Sequence, residues 1–247
     1  MSQTYADYSK LAKDYDAYRT GYSGDLYAVL ADYGLQTGGA ILDVACGTAL
    51  AAEPLAKGGA KMTGVDTSPA MIDYARERIP EAVWVQASAE ALPFGDASFD
   101  GVICAQSFHR FERAKAVAEM VRVLKRDGVL AIWWKHLMSD DPVHKICAET
   151  AATLGVNVPD SALKGGFVEF YSAPLSDHTL RVIPWRFAVT LDRFLGYERS
   201  RRSLHDVLGS NVEAYIGLLR ERLTERFGPD AMLSLGYLQF LYLGKRL

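Results

Sequence analysis

Ile41-Leu42-Asp43-Val44-Ala45-Cys46-Gly47-Thr48-Ala49 is the stretch on which the fold turns. Its apolar, partly β-branched first half reads as a short buried strand, and Gly47 reads as the tight turn into a helix. Outward from it the rhythm repeats. Strands are predicted over residues 40–45, 61–66, 82–86, 99–105 and 128–134. Between the last two, Val117, Met120, Val121 and Leu124 fall at helical spacing, with Lys125 and Arg126 placed in the last turn before Asp127-Gly128. The helix after the first strand should end at Gly58-Gly59, and Pro54 must sit in its first turn or kink it. Strand and helix in alternation call for a parallel sheet. After Lys135 the rhythm breaks into a helix near 141–153, a loop at Gly165-Gly166, a strand over 179–189, a helix start at Thr190, a helix over 212–226 and a strand over 237–243. Two late strands added to five parallel ones give an α/β chain with a doubly wound, seven-stranded sheet, and no linker divides its 247 residues.

Composition narrows the setting. With 27 basic and 30 acidic residues, a net charge of −3 and 49% hydrophobic residues, the chain reads as a soluble globule with a large core. That charge offers no field for a phosphate backbone, so nucleic acid is not an expected partner. Cys46, Cys104 and Cys147 form no Cys-x-x-Cys pair, which fits a reducing cytoplasm and suggests no zinc cage. No metal is expected. The first 13 residues are polar, and the longest apolar run, 129–134, is far too short for a bilayer, so neither secretion nor membrane insertion is expected. Seven of the 13 tyrosines fall in the first 33 residues, and that clustering needs a reason.

The charges around the loop select the kind of ligand. Ligands of open α/β sheets sit at the carboxyl ends of the strands, beside the first strand-to-helix turn. A nicotinamide dinucleotide wants three glycines there, and only Gly47 is present. Asp43 and Glu53 would repel a pyrophosphate, whereas carboxylates suit a ligand that carries an ammonium and a sulfonium, such as S-adenosyl-L-methionine. Asp66, 23 positions beyond Asp43, is placed to accept from ribose hydroxyls. By itself that placement serves either cofactor, and both aspartates have the plain alternative of merely ending strands.

Three stretches in order carry a resemblance: 42–49, then Gly64-Val65-Asp66-Thr67-Ser68-Pro69-Ala70-Met71, then Ala87-Ser88-Ala89-Glu90-Ala91-Leu92-Pro93-Phe94. They resemble the successive motifs of the class I S-adenosylmethionine-dependent methyltransferases, most closely the small-molecule branch that includes trans-aconitate methyltransferase-like and ubiquinone/menaquinone-biosynthesis-type enzymes. The resemblance implies a Rossmann-like fold, with residues 37–135 as the cofactor-binding core. It implies that Asp43 and the Ala45 to Gly47 backbone hold the methionine moiety and that Asp66, with Thr67 beside it, takes the ribose. Met71 would pack on the adenine, and Ser88 with the Ala89 N–H would read its edge. Ala45 and Ala49 stand where the family usually has glycine, and Ser88 where many members have aspartate. Core packing is the plain alternative for Met71.

The tyrosines then find a place. Tyr5, Tyr8, Ala12, Tyr15 and Tyr18 recur at three- to four-residue steps, so one helical face is aromatic with hydroxyl tips, suited to covering a polar ligand. Tyr15-Asp16-Ala17-Tyr18-Arg19 resembles the N-terminal signature of the same branch, which implies that residues 1–36 form a lid and that Tyr15 and Arg19 contact the methionine end. Gln106-Ser107-Phe108-His109 also resembles that branch, at the edge that sees the methyl group; Gln106 is assigned to the cofactor and His109 to the reaction centre, as base or as binding contact. The branch's next residue is tryptophan, and here it is Arg110. Residues 136–247 would supply the acceptor side, and Trp133, Trp134, Trp185, Phe108 and Tyr171 are candidates for an aromatic pocket, each with core packing as the alternative. The expected activity is methyl transfer to a small metabolite, at an oxygen of a carboxylate or hydroxyl, by a monomer or homodimer. A non-catalytic cofactor-binding module, or methylation at carbon or nitrogen, is the alternative.

Overall fold

The computed structural model describes residues 12–35, 37–156 and 167–247. Tyr5, Tyr8 and the Gly165-Gly166 loop lie outside them. Strands β1 (Ala40–Val44), β2 (Lys61–Asp66), β3 (Val83–Gln86), β4 (Phe99–Ala105), β5 (Leu124–Leu137), β6 (Leu175–Thr190) and β7 (Met232–Arg246) form one sheet in the order β3-β2-β1-β4-β5-β7-β6. The first five are parallel, and β7 enters antiparallel between β5 and β6. This is the mixed, Rossmann-like sheet expected. The order reverses between β1 and β4, so a crevice opens at their carboxyl ends.

Burial on both faces explains the apolar strands. Along β1, Ile41 packs to one side with Leu26, Leu30, Ile103 and Trp133, while Leu42 and Val44 pack to the other with Val102, Met120, Val121 and Trp134. The covering helices are α1 (Ala12–Tyr18), α2 (Gly24–Tyr33), α3 (Ala52–Lys57), α4 (Pro69–Arg78) and α5 (Arg113–Val123). A third cluster joins α6 (Pro142–Thr153), α8 (Leu191–Arg199), α9 (Arg202–Leu208) and α10 (Val212–Phe227) to the distal ends of β6 and β7, through Val143, Phe194, Leu204, Leu219 and Leu235. A short α7 (Val168–Tyr171) precedes β6.

Local chemistry sets most of the boundaries. Ser23, Asp141 and Thr190 cap α2, α6 and α8 by accepting from Leu26, Val143 and Arg193 N–H groups. Pro54 lies in the first turn of α3, where its missing N–H costs nothing. One boundary differs from expectation: α5 stops at Val123, so Lys125 and Arg126 belong to β5 and Arg122 closes the helix. The cause is a tight turn at Asp127 (φ 61°) and Gly128, where a Cβ would lie 2.8 Å from Lys125 O. That turn lets Leu124 pair with Phe99 before Val129 pairs with Gly101.

Candidate active site

A cavity of about 650 Å³ opens at the carboxyl ends of the central strands. Tyr15, Arg19, Asp43, Ala45, Gly47, Asp66, Thr67, Met71, Ala89, Gln106 and His109 all line it. Ser88 does not. Ala87 N–H continues the β2 pairing onto Asp66 O, and in the alternation it begins, residues 87 and 89 face the cavity while 88 turns away.

The loop after β1 is held by a carboxylate. Asp66 Oδ2 accepts from Gly47 N–H (3.0 Å) and Oδ1 from Ser68 N–H (2.9 Å), pinning the loop to the end of β2. Ala45, Gly47 and Ala49 sit at φ of 56°, 54° and 61°, the left-handed region, which accounts for glycine being usual at the first and last of these positions. Asp43 is 0% exposed, and neither of its oxygens has a hydrogen-bond partner among the described residues. Burial, reinforced by the nearby Asp66, pushes its pKa well above the ordinary carboxylate range. Burial also raises Asp66, with the N–H bonds from Ser68, Gly47 and Thr67 pulling the other way. Two close carboxylates, one of them orphaned, form an electrostatic socket that a bound ammonium and two ribose hydroxyls would satisfy. Glu53 is not part of it: Lys57 (2.8 Å) and Arg78 (3.0 Å) bind its carboxylate, and it is absent from the lining.

Arg78 also donates to Thr48 O (2.7 Å) and to Asp16 on α1 (2.5 Å), tying the loop after β1 to α1. Arg19 lies between the rings of Tyr15 (4.7 Å) and Tyr197 (4.8 Å), and it donates Nε to Ser200 Oγ (3.1 Å) and Nη2 to Ser200 O (3.3 Å). These bonds fasten the turn after α1 to the end of α8.

His109 stands on a short 3₁₀ turn after β4, and its Nδ1 lies 3.1 Å from Trp134 Nε1. An indole N–H can only donate, so Nδ1 accepts and the neutral ring carries its proton on Nε2. The expected aromatic pocket is not found. Trp133 and Phe108 are fully buried in the core, Trp134 stacks on Phe167 at 4.4 Å, Trp185 stacks on Phe187 at 4.2 Å, and Tyr171 is 47% exposed. Successive tryptophans on β5 point to opposite sheet faces, and both faces are covered. The rings that line the cavity are Tyr15, Tyr22, Phe111, Tyr197, Tyr215 and Tyr237.

Sequence reasoning missed the charged residues at the far end. Lys135 is buried; its Nζ donates to Thr20 O (2.5 Å), Thr20 Oγ1 (2.8 Å) and Gly21 O (2.8 Å), with the rings of Tyr22, Trp185 and Tyr237 at 5.1, 5.4 and 5.6 Å. Burial pushes its pKa well down, and Arg19 adds to the effect. A lysine directly after the apolar run 129–134, at the carboxyl end of a central strand, was the available signal. Glu198, 1% exposed, accepts from Arg201 Nη1 at 2.8 and 2.9 Å and from Tyr215 OH at 3.2 Å. Among the described residues no cluster of three or more His, Cys, Asp or Glu could hold a metal, and no helix is long and apolar enough to cross a membrane.

Residues 42–132 match the family model of a methyltransferase domain. A demethylmenaquinone methyltransferase of Renibacterium salmoninarum is 38% identical over 100 residues, 40% of this chain and 42% of that protein. The chain spans about two fifths to one half of the length of curated relatives it matches, among them uncharacterized methyltransferases of Mycobacterium bovis and Synechocystis. In fold it is similar to a protein of Anaeromyxobacter dehalogenans named for the type II methyltransferases (TM-score 0.68, 24% identity, 93% of this chain and 98% of that one). It is also similar to geranyl diphosphate C-methyltransferase of Streptomyces coelicolor, crystallised with Mg²⁺, geranyl-S-thiolodiphosphate and S-adenosyl-L-homocysteine (TM-score 0.51, 17% identity, 90% and 76% covered). The motifs around Asp43 and Asp66, the methyltransferase-domain match over residues 42–132 and the strand order together make this chain similar to the class I S-adenosylmethionine-dependent methyltransferases.

Proposed function

We propose that the chain transfers a methyl group from S-adenosyl-L-methionine to an oxygen of a small-molecule acceptor. The observation that carries this reading is Asp43: a fully buried carboxylate without a donor among the described residues, beside Asp66 and open to the cavity. An apolar cofactor would leave that charge uncompensated, and a pyrophosphate would oppose it. When bound, the cofactor supplies a methyl group on sulfonium; the acceptor's lone pair forms the new bond while the carbon–sulfur pair stays on sulfur.

The protein's share is placement. Asp43 and Asp66 hold the ammonium and ribose, Met71 and Ala89 flank the base, and Tyr15 and Arg19 close the lid over the methionine end. Holding acceptor and methyl in line supplies about 7–11 kcal/mol of barrier lowering, against roughly 3–5 for an added general base. His109 acts here as a hydrogen-bond donor: with Nδ1 engaged by Trp134, its neutral ring has no lone pair on Nε2 to take a proton. An acceptor carboxylate, already ionised near pH 7, needs no base. Isothermal titration should show S-adenosyl-L-homocysteine binding that weakens by more than about tenfold in Asp66→Ala. Absence of binding to the wild-type chain sinks the reading.

A further inference from the structure

We infer that Arg201 anchors a carboxylate of the methyl acceptor, a step that rests on the methyl-transfer reading above. The cavity has two chemically distinct ends. Asp43 and Asp66, from β1 and β2, make one end negative. The other is built by Lys135, His144, Cys147, Tyr197, Glu198 and Arg201, all beyond residue 132, where the family match stops.

Arg201 is prepared on one edge and open on the other. Its Nη1 makes both bonds to Glu198, and Glu198 is fixed in turn by Tyr215 OH. No described residue accepts from Nε or Nη2, while 23% of the side chain remains exposed and the residue lines the cavity. Nε and Nη2 form the planar fork that matches two carboxylate oxygens, and the buried Glu198 has already removed the freedom such a clamp would otherwise lose on binding. The neighbouring cations are occupied: Lys135 by Thr20 and Gly21, Arg19 by Ser200. The charge of Arg19 still counts. Arg19 and Arg201 line this end with one carboxylate, Glu198, so it is short of negative charge in a medium that screens poorly. The rings of Tyr22, Tyr197, Tyr215 and Tyr237 around it suit a flat carboxylic acid.

The cofactor's methionine end is the other source of a carboxylate, and the experiment separates the two. The full chain saturated with S-adenosyl-L-homocysteine is titrated with benzoate, 4-hydroxybenzoate and cinnamate, each against its carboxamide. At least one acid is expected to bind more tightly than its amide by about tenfold or more, with that preference lost in Arg201→Gln. Because that variant strands Glu198, the neutralised pair Glu198→Gln/Arg201→Gln is measured beside it and should behave alike. In both variants the affinity for S-adenosyl-L-homocysteine should stay within about twofold of wild type. Acids and amides binding equally or not at all, or a preference that survives in Arg201→Gln, overturns the assignment. So does a tenfold loss of S-adenosyl-L-homocysteine affinity in that variant, which gives Arg201 to the methionine carboxylate. Failure of wild type to bind S-adenosyl-L-homocysteine at all instead removes the methyl-transfer reading itself.

Discussion

Asp43 carries a cost that only a ligand can offset. Its pKa in the fold lies above that of the unfolded chain, so its contribution favours folding below the unfolded value and is lost as pH rises through the folded one. Asp43→Asn should therefore raise the melting temperature of the ligand-free protein at pH 8, with a gap over wild type that shrinks toward pH 4, while abolishing S-adenosyl-L-homocysteine binding. Scanning calorimetry against pH checks the first part; a variant melting below wild type at pH 8 contradicts it. Ala45 and Ala49 spend stability at the same loop, about 1–2 kcal/mol each for a left-handed alanine. His109 makes the second argument at this scale. In the donor role proposed for it, His109→Ala should lower turnover without altering the shape of the pH profile between about pH 6 and 8. A lost acidic limb would restore the base role. The donor role of His109 was not visible in the residues alone: the sequence places it after β4, but its tautomer is set by Trp134, 25 positions away on β5.

At the scale of elements, the segment proposed as the lid is tied down by contacts that include Asp16 to Arg78, Arg19 to Ser200, and Thr20 and Gly21 to Lys135. Lys135→Met keeps the length and loses all the donors, leaving two carbonyls to find water. Hydrogen exchange over residues 19–33 should then quicken by about tenfold or more relative to α10, and unchanged exchange would remove Lys135 from the closure of the lid. Gly196 sets how close α1 can come to α8, since a Cβ there would lie 2.4 Å from the Tyr18 ring. The strands and capped helices were legible because their signals are local: β-branched runs for β1 and β2, Asp141-Pro142 for α6, Thr190 for α8. α7 and α9 were not, being short pieces of four and seven residues held by tertiary packing of Phe170 and Leu204. The donor end of the site could be read because its carboxylates follow strands in one continuous segment. The cavity wall proposed for the acceptor is assembled from α6, α8, α10 and β7, whose adjacency no spacing reveals.

For the whole molecule, the question is whether the cofactor core stands alone. Residues 37–135 end inside β5, whose outer edge pairs with β7 from Val129↔Lys245 to Leu137↔Tyr237. Leu241 and Leu243 of β7 join the core cluster that holds Ile41 and Trp133, and Tyr242 joins the one on the opposite face. A chain cut after residue 135 would expose an apolar, unpaired edge at the centre of the sheet, a template for aggregation. We therefore propose one cooperative unit and expect that truncation to be insoluble. The full chain should unfold in a single calorimetric transition, with a van't Hoff enthalpy matching a calorimetric one of about 170 kcal/mol near 60 °C, from roughly 0.7 kcal/mol per residue. Two resolved transitions would mean that the helical layer of α6, α8, α9 and α10 folds apart from the sheet. The negative and positive ends of the cavity would then belong to separately stable pieces. Only a single transition is consistent with one folding event that brings Asp43 and Arg201 to opposite ends of the same cavity.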